Sequence, residues 1–330
     1  MATILFIGGS QFVGYYAVQS ALSGGHAVTL FNRGKTDPGA FPAAEHIIGD
    51  RLEDIERLRG RHFDAVIDTC GYIPRAVRKS AELLKDHAGQ YLFISSVSVY
   101  ADMADGNDET SPLSTLPDPA TEDVSAHYGG LKVACETVVQ ELFPDKSVIV
   151  RPGLIVGPRD PTDRFDYWVE RIAEGGEVLA PATPDRAVQA IDARDLGEWL
   201  IHLVETQASG VYNAVGPLKP LTMGDFLATC KSASASDATI TWVDESWLLE
   251  HKVEPWSELP LWVPPDMIGL LQTKIDRAVA AGLTFRPLAE TVQGSLAWMR
   301  ANPDKVSRRR SAMKREREAE LLREWHTIPG

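Results

Sequence analysis

An apolar run, Thr3–Ile7, leads directly into Gly8-Gly9-Ser10-Gln11-Phe12-Val13-Gly14, and a segment of helical period, residues 12–22, follows. A strand that feeds a helix through a glycine turn is the unit of a parallel sheet, because the helical crossover returns the next strand beside the first. Gly8 permits the sharp turn and Gly14 lets helix and strand pack closely. The helix N-terminus then offers backbone N–H groups to a pyrophosphate. Gln11 stands where the usual spacing has a middle glycine. Tight turns use glycine for conformational reasons alone, so the turn takes its meaning from its place between strand and helix. On that reading Gly8, Ser10, Gln11, Phe12, Val13 and Gly14 are candidate cofactor contacts.

Further β-type runs lie at 27–31, Glu45–Ile48, Ala65–Asp68 and 91–95, with helical segments such as 76–86 between them. Ile4-Leu5-Phe6-Ile7 and Val66-Ile67 do not alternate polar with apolar, which is the pattern of strands covered on both faces. The predicted fold is α/β: a Rossmann-type doubly wound parallel sheet, with ligands at the carboxyl ends of its strands, and a smaller C-terminal substrate-binding domain. Residues 102–127 are rich in Asp, Glu, Pro, Ser and Thr, a loop long enough to be either disordered or a functional lid. Regular patterns resume at 128–142, 147–150, 165–174, 195–205 and 210–215. The expected division is 1–157 for the nucleotide-binding domain, with 188–215 returning to it. Residues 158–187 and 216–304 form the substrate-binding domain, and 305–330 a charged helical extension.

Composition narrows the class. The 330 residues, 44% hydrophobic and 24% charged, match ordinary globular usage and exclude wholesale disorder or a fibre. Such a chain buries enough surface to need no metal or disulfide staple. Cys70, Cys135 and Cys230 are odd in number and scattered, which fits a reducing compartment and argues against a disulfide framework or a zinc cluster. No apolar stretch approaches the roughly 18 residues of a membrane span, and no basic region precedes the first apolar run. A soluble, cytoplasmic protein is expected. The net charge of −13 is uneven: Lys305 to Arg317 carries +6 and the rest −19. An acidic body repels nucleic acid at long range, and only the tail has the bulk charge to hold an anion.

The second strand ends in Asn32-Arg33-Gly34-Lys35. The acidic residue that would bond the ribose hydroxyls of NAD is missing, and two cations follow that suit a 2′-phosphate. NADP(H) is favoured and NAD(H) remains possible; alternatively, this is a solvated basic loop. Asp50 is either an adenine contact or a helix N-cap, and Arg51 and Cys70 also fall at strand ends near the cofactor path. With no base or metal partner nearby in sequence, Cys70 reads best as a small hydrophobe.

Tyr128 and Lys132 are four residues apart, so on a helix they share a face. They follow the polar loop after the fifth strand, which ends in Ile94-Ser95-Ser96-Val97-Ser98-Val99-Tyr100. Hydride transfer to a carbonyl leaves an alkoxide that must receive a proton. A free tyrosine, with a pKa near 10, serves poorly at neutral pH unless a nearby ammonium, together with the positive nicotinamide of an oxidised cofactor, stabilises its phenolate. Lys132 is expected to do this and to hold the nicotinamide ribose, and Ser96 to hydrogen-bond the substrate oxygen.

With these pieces in place, the chain resembles an extended or atypical short-chain dehydrogenase/reductase of the NAD-dependent epimerase/dehydratase kind. The resemblance rests on the Gly8 turn, the Ser96 strand end and Tyr128 with Lys132. It continues through Arg151-Pro152 leading to Gly157-Pro158, then Ile191 to Leu196, and Gly210-Val211-Tyr212-Asn213. It implies Tyr128 as acid/base, Lys132 as its partner and Ser96 as the third member. Pro152 and Gly153 would lie near the nicotinamide, and a homodimer would form through the 128–142 helix. Two positions depart from the pattern. Gln11 is similar to atypical branches such as the chloroplast stem-loop-binding proteins. Leu154 stands where sugar-nucleotide epimerases carry an asparagine.

Tyr72, Ser98, Arg159, Arg164 and Tyr167 are candidate substrate contacts, although Arg159, Asp160, Arg164, Tyr167 and Trp168 read equally well as a helix entry. Asp192 and Asp195 read as pins at a helix start, and the tryptophans at 242–262 as core. The tail reads as an amphipathic helix docked on its own body or on a twin subunit, with RNA binding as the alternative. The function expected is NAD(P)-dependent hydride transfer on a small polar, sugar-like or natural-product substrate. The alternatives are a redox-neutral epimerase or dehydratase that retains NAD, and a nucleotide- or RNA-binding scaffold without catalysis.

Overall fold

The computed structural model describes residues 1–162, 164–306 and 312–328. Its central sheet contains β1 (Thr3–Ile7), β2 (Ala27–Asn32), β3 (Glu45–Ile48), β4 (Ala65–Asp68), β5 (Tyr91–Ile94), β6 (Ser147–Pro152) and the strand Gly210–Ala214. All pairings are parallel, and across the sheet the order is Gly210–Ala214, β6, β5, β4, β1, β2, β3. The order reverses between β1 and β4, so the connections leave on opposite sides there and open a crevice at the carboxyl ends. This is the doubly wound α/β sheet that the non-alternating apolar runs predict.

Helices α1 (Phe12–Ser23), α2 (Pro74–Leu84), α3 (Val124–Leu142) and α5 (Ala193–Glu205) divide between the two faces of the sheet, and α4 (Asp166–Glu174) and α6 (Met223–Ser234) lie apart from it. Successive side chains of a strand point to opposite faces. Accordingly, Ile4 and Phe6 pack with Ala17, Val18, Leu196 and Leu200 of α1 and α5. Leu5 and Ile7 pack with Val77, Leu84, Val138 and Val139 of α2 and α3. Both faces are dry, so truncating Leu5 to alanine costs about 2–5 kcal/mol.

A separate core gathers Trp168 and Ile172 of α4, Phe226 and Leu227 of α6, and Val292 and Leu296 of the helix Leu288–Ala301. The helix Arg315–Trp325 closes this core with Leu321 and Leu322. Its Glu318 is buried, accepting from Arg171 Nε at 2.6 Å and from Leu179 N at 3.0 Å. Arg308, Arg309 and Arg310 of the basic tail lie outside the described residues. Among the described residues no helix is long and apolar enough to cross a membrane.

The polar segment 102–127 is tied down locally. Ala101 N bonds to Pro112 O at 3.0 Å, Ser114 N to Val99 O at 2.7 Å, and Asn107 Nδ2 to Asp102 O at 2.7 Å. Its many Asp and Thr side chains satisfy nearby backbone donors in the manner of Asx and ST turns, which is why so polar a stretch holds a shape. α3 starts four residues before Tyr128. Asp123 caps it by accepting from Ser125 N and Ala126 N, and His127 breaks the helical dihedrals at φ −131° and ψ 33°, immediately ahead of Tyr128.

Candidate active site

A cavity of about 850 Å3 runs along the carboxyl ends of β1, β2, β4, β5 and β6. Its floor is the glycine turn. Gly8 has φ +103°, and a Cβ there would lie 2.3 Å from Thr69 Oγ1. That hydroxyl accepts from Gly9 N at 3.3 Å and donates to Ile7 O at 3.2 Å, a brace that motif reading does not find. A Cβ on Gly14 would lie 2.9 Å from Gly9 Cα, so helix and turn touch backbone to backbone. Gln11 sits at φ −134° and ψ 138°, extended backbone that any residue adopts, and the left-handed conformation falls on Phe12 at φ +45°. Loss of the middle glycine therefore imposes no strain at position 11. Gln11 makes no capping bond, and Ser10 to Val13 line the cavity, so the first turn of α1 presents its backbone donors to an anion. These residues fit a dinucleotide pyrophosphate.

Arg33 and Lys35 are exposed at the rim of the cavity, and among the described residues neither forms an ion pair. Asn32 is different. Its Nδ2 donates to Gly8 O at 3.1 Å and its Oδ1 accepts from Gly34 N at 2.9 Å, so the amide braces the turn and is not free to grip a ribose. Arg51 lines the cavity with its side chain already engaged. Its guanidinium pairs with the buried Asp68, donates to Ser80 Oγ at 2.6 Å and gives Nε to Ala76 O at 3.0 Å. Arg51 supports the cavity wall from beneath, and its charge is spent. Asp50 lines the cavity while accepting from Leu52 N at 2.9 Å, so it is both a turn former and within reach of a ligand. Cys70 is half-buried against Ile7 O at 3.4 Å, and burial pushes its thiol up to about 11, leaving it a packing group without nucleophilic character.

Ser96, Tyr128 and Lys132 converge on the opposite wall with Tyr72, Ser98, Pro152 and Gly153. The convergence depends on Gly129, where a Cβ would lie 2.0 Å from Ser98 O. Only glycine lets the start of α3 sit directly on the turn after β5. Ser96 Oγ caps that turn by accepting from Ser98 N at 3.1 Å and donates to Ser98 Oγ at 3.1 Å. Lys132 is buried and donates to Gly71 O and Ile94 O, both at 2.7 Å, beneath the rings of Phe93 at 4.7 Å, Tyr72 at 5.0 Å and Tyr128 at 6.0 Å. Desolvation draws this ammonium down to about 8. Burial pushes the Tyr128 phenol above its ordinary value, opposed by a hydrogen bond with Ser96 and by the charge of Arg164. In the free protein the phenol is protonated, ready to donate; the charge of Arg164 acts on it there, and the Lys132 ammonium lies 6.0 Å from its ring.

A buried network beneath the site was not foreseen. Arg151 and Glu136 pair at 2.7 Å with both side chains almost inaccessible, Ser95 Oγ donates to Glu136, and Tyr100 OH donates to Asn213 Oδ1 at 2.6 Å. It ties β5, β6, α3 and the strand Gly210–Ala214 into one unit. The signal was in the sequence, because Arg151, Tyr100 and Asn213 all belong to the motifs quoted above, but their pairing needs the fold.

The substrate end of the cavity is lined by Leu154, Pro161, Thr162, Arg164, Trp256, Leu270 and Leu271. Trp256, expected in the core, is instead a wall residue. Two of the candidate substrate contacts are elsewhere. Arg159 pairs with Asp37 at 2.6 Å and stacks 3.7 Å above the Tyr15 ring, latching the loop after Lys35 to the segment after β6. Tyr167 is buried in the second core. Asp192 caps α5 and Asp195 holds Arg286, the pinning roles their sequence position suggests.

The sequence pattern of the NAD dependent epimerase/dehydratase family matches residues 4–215, and the chain belongs to this family of enzymes. It is 25% identical over 251 residues to the chloroplast stem-loop binding protein of 41 kDa b of Arabidopsis thaliana, covering 70% of this chain and 62% of that protein's length. In structure it resembles a candidate epimerase of Burkholderia cenocepacia, with a TM-score of 0.68, 20% identity, and 91% and 98% of the two chains covered. UDP-glucuronic acid 4-epimerase of Bacillus cereus, solved with NAD, gives a TM-score of 0.64 at 16% identity, covering 91% and 99%. At these identities the structural likeness establishes the fold alone.

Proposed function

We propose that this chain catalyses nicotinamide-dependent hydride transfer at a carbonyl or secondary alcohol of a small polar substrate, with Tyr128 as the acid/base. The observation that carries this is the convergence of Ser96, Tyr128 and Lys132 on the cavity floored by the glycine turn. A dinucleotide held by the glycine turn, Gly8 to Val13, would supply or accept the hydride. The chain's own residues do the rest. Ser96 holds the substrate oxygen, and Tyr128 Oη passes its proton to that oxygen as negative charge develops. Lys132 keeps a positive charge beneath the phenol, which favours the phenolate left behind.

Net reduction with exchangeable NADPH is the first reading, because Arg33 and Lys35 stand at the rim with no acid at the end of β2. Redox-neutral epimerisation with retained NAD is the second, favoured by the family and by NAD in the Bacillus cereus relative. Denaturing the purified protein and identifying any released nucleotide separates them. Retained NAD overturns the first reading, and exchangeable NADPH overturns the second. Binding of neither, with RNA stem-loop binding instead, would favour a scaffold. Three free cysteines suit the cytoplasm as its location. A homodimer through α3 is tested by light scattering.

A further inference from the structure

The cavity is lined by five basic side chains: Arg33, Lys35, Arg51, Lys132 and Arg164. Arg51 is committed to Asp68, and Lys132 gives two protons to backbone carbonyls. Arg33 and Lys35 stand at the end of β2, on the far side of the glycine turn from Tyr128. Arg164 is thus the one cation on the substrate wall, among the described residues, without a carboxylate in contact. Among the described residues its hydrogen bond is from Nε to Thr162 Oγ1 at 3.3 Å, and its Nη1 and Nη2 donors have no partner there. The guanidinium lies 5.5 Å from the Trp256 ring and is largely shielded from water. A desolvated guanidinium with four idle donors is costly unless a ligand completes it, and a planar fork matches an oxyanion in bidentate geometry.

Building on the hydride-transfer reading, we infer that the substrate is compact and carries a single oxyanion, a carboxylate or a phosphate, seated on the Nη1/Nη2 fork of Arg164 close to the reacting carbonyl. Closeness to the reacting centre follows because Arg164 and Tyr128 share this end of the cavity and act on each other's charge. Compactness follows from space and lining. The 850 Å3 falls within the roughly 300–1,000 Å3 of a single-ligand pocket, yet must hold a dinucleotide as well. Apart from Thr162, the rest of the substrate wall, Leu154, Pro161, Trp256, Leu270 and Leu271, is apolar or aromatic, and among the described residues it carries no second cation for a diphosphate. The anion also stands where its charge is felt by Tyr128, so it adds to the carboxyl of Asp160 in offsetting Arg164 and keeps the phenol protonated for donation.

The test uses protein saturated with NADP, which occupies the Arg33/Lys35 end, titrated with acetate and with inorganic phosphate at constant ionic strength. Tryptophan fluorescence and calorimetry report binding, and NADPH affinity is measured on the same samples. Saturable binding that weakens tenfold or more in Arg164→Met, with NADPH affinity unchanged, is the expected result. Tighter acetate identifies a carboxylate substrate and tighter phosphate a phosphorylated one. Arg164→Lys keeps the charge but loses the fork, retains intermediate affinity, and serves if the methionine variant does not fold. Equal anion binding by wild type and Arg164→Met, or none by either, overturns the inference. Failure of wild type to bind NADPH or NADH would instead overturn the hydride-transfer reading.

Discussion

Lys132 donates to the carbonyl of Gly71 at 2.7 Å, tying the helix that carries Tyr128 to the loop after β4. With the bond to Ile94 O, two of its three protons are fixed, and one is left for the cofactor ribose or the phenol.

This placement sets a pH dependence. Burial draws Lys132 down to about 8, whereas an unfolded lysine titrates near 10.4. Between those values the folded state binds fewer protons than the unfolded one. Burying the ammonium therefore opposes folding below pH about 8, and that penalty relaxes as pH rises. Activity moves the other way. kcat/KM, which reports groups of the free enzyme, falls above pH about 8 as the ammonium is lost. Lys132→Arg removes that limb from the profile. A wild-type profile flat into the ordinary lysine range would contradict the assignment.

Tyr128→Phe removes the proton donor and leaves the ring in place. kcat falls by about 10²–10⁴, the usual worth of a positioned acid, while NADPH affinity measured by fluorescence titration is retained. Turnover within tenfold of wild type would assign the proton to another group.

Arg33→Asp places a carboxylate where a 2′-phosphate would sit. A charge-assisted hydrogen bond is worth about 1.5–3 kcal/mol, so NADPH binding weakens roughly 10- to 100-fold while NADH changes little. Equal losses for the two nucleotides would remove the cofactor argument.

Glu136→Ala strands the Arg151 guanidinium in a dry interior. Breaking such a pair from one side lowers stability by about 3–5 kcal/mol in urea unfolding. Arg78→Ala, which breaks an exposed pair with Glu141, costs less than about 1 kcal/mol and serves as the control. Equal costs would show that the network beneath the site is not desolvated in solution.

Much of this protein was legible in one dimension. The doubly wound sheet follows from strands that are apolar on both faces and from a glycine turn in the first βα unit, because few chain paths bury such strands. That Ser96, Tyr128 and Lys132 would meet at one cavity was legible from their order along the chain and the helical spacing of the last two. Three things were decided only by tertiary packing. Arg51 and Asn32 sit at strand ends where a cofactor passes, yet buried polar groups must find partners, and Asp68, Ser80, Gly8 and Gly34 claim them first. Arg159 and Arg164 are five residues apart with the same charge, but one turns outward to Asp37 and Tyr15 while the other turns into the cavity beside Trp256. The balance of charge around Tyr128 likewise depends on distance and desolvation, because a cation acts through space and a sequence records only the separation along the chain.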